Sequence, residues 1–432
     1  MKAIAALSCV AVANAVILPD PRIFEQASIQ NDERPSWWDR IPSKDSIVNT
    51  VEEGFDSLSS QIEGALHTLE DTVENKFEHI FEEEIFNDEG DTSDKSIFDL
   101  VAGSKYTTTL AKLVSDYDDI VEVLKSTKAN HTVFAPTDRA FAKLPKGLKL
   151  SKEAIKSILL YHVGVGVYDA KRVLRTHTLP TLLNEPWLGD KPQRLRTSVG
   201  LGGVRVNFYS KVVAVNIRAN NGIIHGIDSV LLPPPLVGRE LTLLPSQFST
   251  LLLAYEKTDF VKYIHGVKST GTTVFAPSNN AFARLGPKAN AFLFNSPTGL
   301  KFLKALLKYQ IVANTTLYSD ALYRPGNKEA NVMEHYHVDL PTLLGGKNIA
   351  VDVAVWRGFR RVKLNGYIPI VVADGIAKNG VIHVPARVPI PPHKHKKDSE
   401  NGEISVQELK ERLAEYVDEN DKQDDFGWSA EL

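Results

Sequence analysis

Histidine offers this chain its most versatile chemistry. His335 and His337 flank a tyrosine in HYH, and His393 and His395 alternate with lysine in HKHKK at 393–397. Two imidazoles on a short stretch can touch a metal ion, but a strong site needs three or four fixed ligands. The first pair therefore reads as a loop and the second as a basic linker. His225 falls between Ile223 and Ile227 on one strand face, the setting of a hydrogen-bonded core histidine rather than a ligand. The 53 acidic residues leave open a carboxylate pair of the kind that hydrolyses glycosides. No G-x-S-x-G, H-E-x-x-H or P-loop pattern occurs. The single cysteine, Cys9, lies in a segment that reads as a signal peptide. The mature chain is thus expected to have no disulfide, no cysteine–zinc site and no thiol nucleophile. No metal or other cofactor is expected.

The elements that would position such groups come in two copies. TVFAPTDRAFAKL (132–144) returns as TVFAPSNNAFARL (273–285), an offset of 141. Tyr161 matches Tyr309 at 148, LPTLL at 179–183 recurs at 340–344, and Asn221-Gly222 matches Asn379-Gly380 at 158. Constant order with loop-sized drift means two homologous domains, expected at 95–234 and 239–392, joined by a Pro-rich connection. In each copy of the 13-residue stretch, Val-Phe favours a strand and Pro136 or its counterpart ends it. Thr137 or Ser278 then occupies a helix N-cap, with Asp138 or Asn279 in the first turn. The stretch reads as folding grammar, not a site. Residues 98–125 and 153–163 read as helices, whereas 203–232 and 348–390 alternate as short strands, so each domain is α+β.

Charge is distributed unevenly. Residues 20–95 carry 21 acidic and 6 basic side chains, 398–432 carry 12 and 3, and 96–397 carry 20 and 40. A basic body between acidic arms implies an acidic partner or arms that fold back on the body. In the leader (16–94), Phe55, Leu58, Ile62, Leu66, Leu69, Val73, Phe77 and Ile80 repeat at threes and fours, predicting an amphipathic helix over about 51–86. Its acidic polar face disfavours lipid and favours docking on the body or self-association. Lys2, the apolar run to Val12 and Ala13-Asn14-Ala15 read as a secretory signal (1–15) cleaved after Ala15. No later run is long enough for an integral membrane span. Residues 393–432 read as a charged tail with a short helix. Asn130-His-Thr and Asn314-Thr-Thr are N-glycosylation sequons.

TVFAPTDRAFAKLP, LLYHV (159–163) and NGIIHGIDSVLLPP (221–234), with TVFAPSNNAFARLG, LLKYQIV (306–312) and NGVIHVPARVPIPP (379–392), resemble the fasciclin domain (beta-ig-h3/fasciclin) family. The resemblance covers about 300 residues, and a secreted, cysteine-free chain with two such domains resembles proteins of filamentous fungi. It implies a β-sandwich wedge with packed helices in each domain, and adhesion or matrix roles rather than catalysis. The family's Tyr-His pair matches Tyr161-His162 but becomes Tyr309-Gln310 in the second copy. The acidic residue of its last strand matches Asp228, replaced by Ala386. The resemblance makes Tyr161, His162 and Asp228 the candidate adhesion surface, against a plainer reading in which Tyr161 packs and His162 hydrogen-bonds inside the fold. The expectation is a secreted or cell-surface, non-catalytic protein. Its partner would be extracellular matrix, cell-wall polysaccharide or a surface protein, and not nucleic acid. The alternatives are a vacuolar lumenal protein and a hydrolase.

Overall fold

The computed structural model describes residues 94–145, 150–200, 203–323, 330–331, 335–356, 359–392 and 404–423. The expected signal peptide, the 51–86 helix and the HKHKK linker lie outside them. The described chain forms two compact units. The first comprises 94–184 and 192–233, and the second 185–191 and 234–423.

The first unit opens with three short helices, α1 (Ile97–Gly103), α2 (Thr108–Ser115) and α3 (Asp118–Lys125). The long helical pattern of 98–125 breaks because Gly103-Ser104 and Asp116-Tyr117 carry the turns between them. The shared motif forms β1 (His131–Pro136) and α4 (Asp138–Ala142), followed by α5 (Lys152–Tyr161) and β2 (Val163–Val165). After α6 (Ala170–Arg175) come β3 (Thr178–Glu185), β4 (Lys191–Gly200), β5 (Gly203–Val206), β6 (Ser210–Ala219) and β7 (Gly222–Ile227). The seven strands pair in sequence order and close on themselves where β1 runs parallel to β7.

The second unit repeats the plan. Helices α7 (Val237–Thr242), α8 (Pro245–Lys257) and α9 (Phe260–His265) precede β8 (Thr272–Phe275) and α10 (Asn279–Ala283). It then adds α11 (Pro287–Asn295) before α12 (Pro297–Tyr309), the counterpart of α5. β9 (Ile311–Ala313) leads to a three-stranded sheet of β10 (Thr316–Tyr318), β11 (Ala321–Tyr323) and β12 (Ala330–Asn331). The main sheet is completed by β13 (Tyr336–Pro341), β14 (Asn348–Trp356), β15 (Phe359–Leu364), β16 (Ile368–Ala377) and β17 (Gly380–Pro385), with β17 parallel to β8. Each unit is thus α+β, seven main strands with helices packed on them.

The parallel pair is a tight point of each unit. A Cβ on Gly222 would lie 2.0 Å from His131 O, and one on Gly380 2.0 Å from Thr272 O. The Asn beside each glycine does more than turn the chain. Asn221 Oδ1 accepts from Ile97 N–H at 2.9 Å, and Asn379 Oδ1 from Val237 N–H at 2.9 Å. Each therefore satisfies the open N-terminus of the first helix of its unit.

The tail does not stand alone. Helix α13 (Val406–Gln423) packs on α11 and α12. Leu409 and Leu413 are fully buried, with Tyr416 and Val417 nearly so, in the core that holds Leu303, Leu306 and Leu344. The stripe at i, i+4, i+7 and i+8 is one helix face, and each buried leucine contributes about 2 kcal/mol of apolar transfer.

Candidate functional site

The shared motif has one role in both units, richer than a cap. Thr137 and Ser278 both stand at the N-cap as expected; Thr137 makes no side-chain cap bond, while Ser278 Oγ accepts from Ala281 N–H. The following residue ties the corner to an earlier helix. Asp138 accepts from Thr109 N–H at 2.8 Å and from the N–H and hydroxyl of Thr108, capping α2. In the second unit α8 already continues through this point. Asn279 Oδ1 accepts from Thr250 N–H at 2.9 Å, and its Nδ2 donates to Ser246 O at 3.1 Å. These are the two groups one helical turn would join. A helix start needs only an acceptor, whereas a bridged turn needs an acceptor and a donor, which is why one copy has Asp and the other Asn.

Tyr161 ends α5 and is wholly buried. Its hydroxyl donates to Arg194 O at 2.9 Å and accepts from Asn207 Nδ2 at 2.8 Å. Tyr309 holds the same place, but its hydroxyl is the donor to both partners, Asn348 O at 3.3 Å and Asn365 Oδ1 at 3.1 Å, and burial pushes its hydroxyl pKa upward. Asn207 and Asn365 both adopt positive φ, 49° and 50°, so the tyrosine locks a left-handed turn in each unit.

His162 is 2% exposed. Leu231 N–H donates to its Nε2 at 2.9 Å, so Nδ1 carries the proton and donates to Ile158 O at 2.7 Å. Burial drives its pKa down to about 4. At the corresponding positions stand Gln310 and Pro389. Proline has no N–H to give, and among the described residues the buried Gln310 amide finds no hydrogen-bond partner.

Asp228 reaches the surface. It accepts from Lys211 N–H at 2.8 Å, from Ser229 Oγ, and from Lys143 Nζ at 3.0 Å. Burial raises its pKa, but these donors outweigh it and hold the carboxyl below its usual value. Ala386 and Pro369 replace Asp228 and Lys211, so acceptor and N–H donor vanish together. Two of the three expected surface residues, Tyr161 and His162, are therefore corrected to interior positions, because their polar atoms complete backbone hydrogen bonds. Asp228 is occupied by a turn.

Strands β6 and β16 carry what the sequence reading missed. Each has two bulges at matching places, Val212/Ala214 and Ala214/Ile217 in β6, Ile370/Val372 and Val372/Gly375 in β16. The second bulge turns Asn216 and Asp374 to positive φ. Their N–H groups donate to Nδ1 of the buried His225 and His383, both at 3.3 Å. Nε2 of each histidine meets a carbonyl, Tyr168 O or Leu317 O, at 2.7 Å. Burial lowers both pKa values. The first bulge expels one extra residue, Val213 in one unit and Val371 in the other, at the 158-residue offset. Val213 is 39% exposed and Val371 60%. Elsewhere on the hairpins that lead into these strands, Phe208, under the Arg196 guanidinium at 4.0 Å, is 48% exposed, and Tyr367, the counterpart of Tyr209, is 52%. The doublets Val212-Val213 and Val371-Val372 were the available signal, since an apolar pair cannot alternate across a sheet.

HYH is an exposed ion-pair cluster. His337 Nδ1 lies 2.6 Å from Asp352 Oδ1 and Nε2 3.5 Å from Asp339 Oδ1, and the Asp352 contact raises its pKa. Among the described residues no group of three or more His, Cys, Asp or Glu is placed to hold a metal. No described helix is long and apolar enough to cross a membrane. Asn130 and Asn314 are both exposed, the latter with Oδ1 accepting from Thr270 N–H.

A family model described as Fasciclin domain matches residues 105–233 and 246–391. Aurofusarin biosynthesis cluster protein S of Gibberella zeae is 27% identical over 368 residues, covering 78% of this chain and 89% of that protein. The cell surface glycolipoprotein MPB83 of Mycobacterium bovis is 29% identical over 135 residues, covering 30% of this chain and 56% of its own. Among solved structures, a domain pair from the insect cell adhesion molecule fasciclin I matches at 18% identity and TM-score 0.31, over 66% of this chain and 96% of that one.

Proposed function

The chain belongs to the fasciclin-domain family, and on that footing we propose that it is a secreted, non-catalytic binding protein acting in adhesion or in organisation of a cell surface or extracellular matrix. The relative named as a cell surface glycolipoprotein supports the location. The observation that carries the mode of action is the exposed valine repeated at the first bulge of β6 and β16, Val213 and Val371. An exposed apolar group fixed on a sheet is a contact point whose ordering cost is already met by the fold. Two in one chain give bivalent attachment, which multiplies affinity without new contacts. The basic central section favours an anionic matrix polysaccharide as partner.

The test is retention of the mature chain on cell-wall and matrix fractions at two salt concentrations. Val213→Asp with Val371→Asp is expected to abolish retention, and each single substitution to weaken it by about 10-fold or more through lost bivalence. Undiminished binding by the double variant refutes the strand-face reading. Binding that is indifferent to salt refutes the polysaccharide charge component.

A second reading rests on the Gibberella zeae relative, named for a biosynthesis cluster and matched along 89% of its length. In it the apolar patches hold a small secreted product. Co-purification of a low-molecular-mass compound, lost in the double variant, would favour it.

A further inference from the structure

The duplication supplies an internal control for what covers each unit. In the second unit Leu303 and Leu306 on α12, with Leu344 after β13, are fully buried. They share their core with the apolar stripe of α13, which packs across α11 and α12. Lys347 Nζ sits 5.3 Å from the Tyr416 ring, and Lys410 Nζ 5.2 Å from that of Phe292. An acidic amphipathic helix thus closes the helical side of this unit.

The corresponding residues of the first unit are Ile155, Ile158 and Leu183, and all three are only half-buried. The first unit has no counterpart of α11 between α4 and α5. No described helix lies there as α13 does. Basic side chains flank the gap, with Lys152 and Lys156 on α5 itself. Lys156 is paired with Asp119 at 2.7 Å.

The chain carries a second acidic amphipathic segment, and it adjoins the first unit. Residues 55–80 hold six acidic side chains against one lysine, and their apolar residues fall at helical spacing. Ile62, Leu66 and Leu69 repeat the spacing of Leu409, Leu413 and Tyr416, and Val73 extends the stripe by one further turn. Thirteen residues separate Ile80 from Asp94, an extended reach of roughly 45 Å. A domain of this size has a radius of gyration of about 14 Å, so the segment can reach any of its faces.

We propose that residues 55–80 dock their apolar stripe on the α5 face bearing Ile155 and Ile158, as α13 docks on α12. The two acidic arms are then paired closures of two homologous units, one from each end of the chain.

Hydrogen exchange on the full mature chain tests this. Leu66→Asp with Leu69→Asp leaves the folded units untouched. It is expected to accelerate exchange in peptides from 152–161 by about tenfold, the scale of a lost local closure, with 297–309 unchanged. Leu409→Asp with Leu413→Asp is the matched control, accelerating 297–309 and sparing 152–161. Unchanged exchange at 152–161 in the leader variant overturns the proposal. So does protection that disappears on dilution together with a change in sedimentation coefficient, because the occupant is then a second copy of the chain.

Discussion

His162 should give the first unit an acid-sensitive stability that the second lacks at the same position. The imidazole is buried and neutral, with Leu231 N–H donating to Nε2 and Nδ1–H donating to Ile158 O. A second ring proton would point at an N–H and has nowhere to bond. The pKa accordingly falls from 6.5 to about 4 on folding. The unfolded chain therefore takes up a proton below about pH 6.5 that the folded chain refuses. Stability from this group is complete above pH 6.5 and lost as pH falls toward 4, by roughly 3 kcal/mol in all. Carboxylates such as Asp228 and Asp138, held below 3.8, lose their contribution only at lower pH, so the windows separate. The comparison is wild type against His162→Gln. It uses urea unfolding of the full mature chain between pH 7 and 4, read by pulsed hydrogen exchange on first-unit peptides. The variant starts less stable, but its curve should be flatter by about 3 kcal/mol across the window. His225 also titrates low and cancels between the two proteins. Parallel curves would refute the buried-neutral assignment, whatever the absolute stabilities.

Further outcomes follow from the fold. Gly222→Ala and Gly380→Ala place a methyl 2.0 Å from a strand carbonyl and should cost about 3–5 kcal/mol in urea midpoints. Gly103→Ala, with nothing within 4 Å, should stabilise α1 by about 0.5–1 kcal/mol. Asp138→Ala should cost about 1–2 kcal/mol as a lost cap. Asn279→Asp should cost about 1–3 kcal/mol, because Ser246 O then faces a carboxylate instead of a donor. An innocuous Asn279→Asp would disprove the bridged turn.

The duplication, the α+β class and the strand–corner–helix unit were legible because each leaves a local pattern: repeated words, alternation, and a proline followed by capping residues. The family resemblance rested on the same words. Partners distant in sequence left no such trace. Nothing near Asn221 says that its amide will cap a helix 124 residues earlier. Nothing near Tyr161 says that its hydroxyl will meet Asn207. Tyr161 and His162 turned out to lie inside for that reason, since side chains with polar atoms look available until their backbone partners are known. The tail helix was seen, but not its docking, because α11, which helps to seat it, exists in only one copy. The bulges of β6 and β16 were blurred because a bulge breaks the period-2 signal that identifies a strand.

The differences between the copies separate folding from function. Where the second unit lacks the histidine it also lacks the Leu231 N–H, having Pro389. Where it lacks the aspartate it also lacks the Lys211 N–H, having Pro369. An interior donor or acceptor left alone costs about 1–3 kcal/mol, so such pairs are best lost together. Gln310, buried without a partner, is the remnant of one such exchange. Hydrogen-bond accounting thus explains the diverged landmarks without a ligand. It does not explain Val213 and Val371. The second bulge of each strand is secured from inside, by His225 or His383, and at the first a solvent-facing residue could be lysine or threonine without loss of any of these bonds. That both copies place an exposed valine there is a repeated surface feature that hydrogen bonding leaves unexplained, and the proposed binding role would account for it.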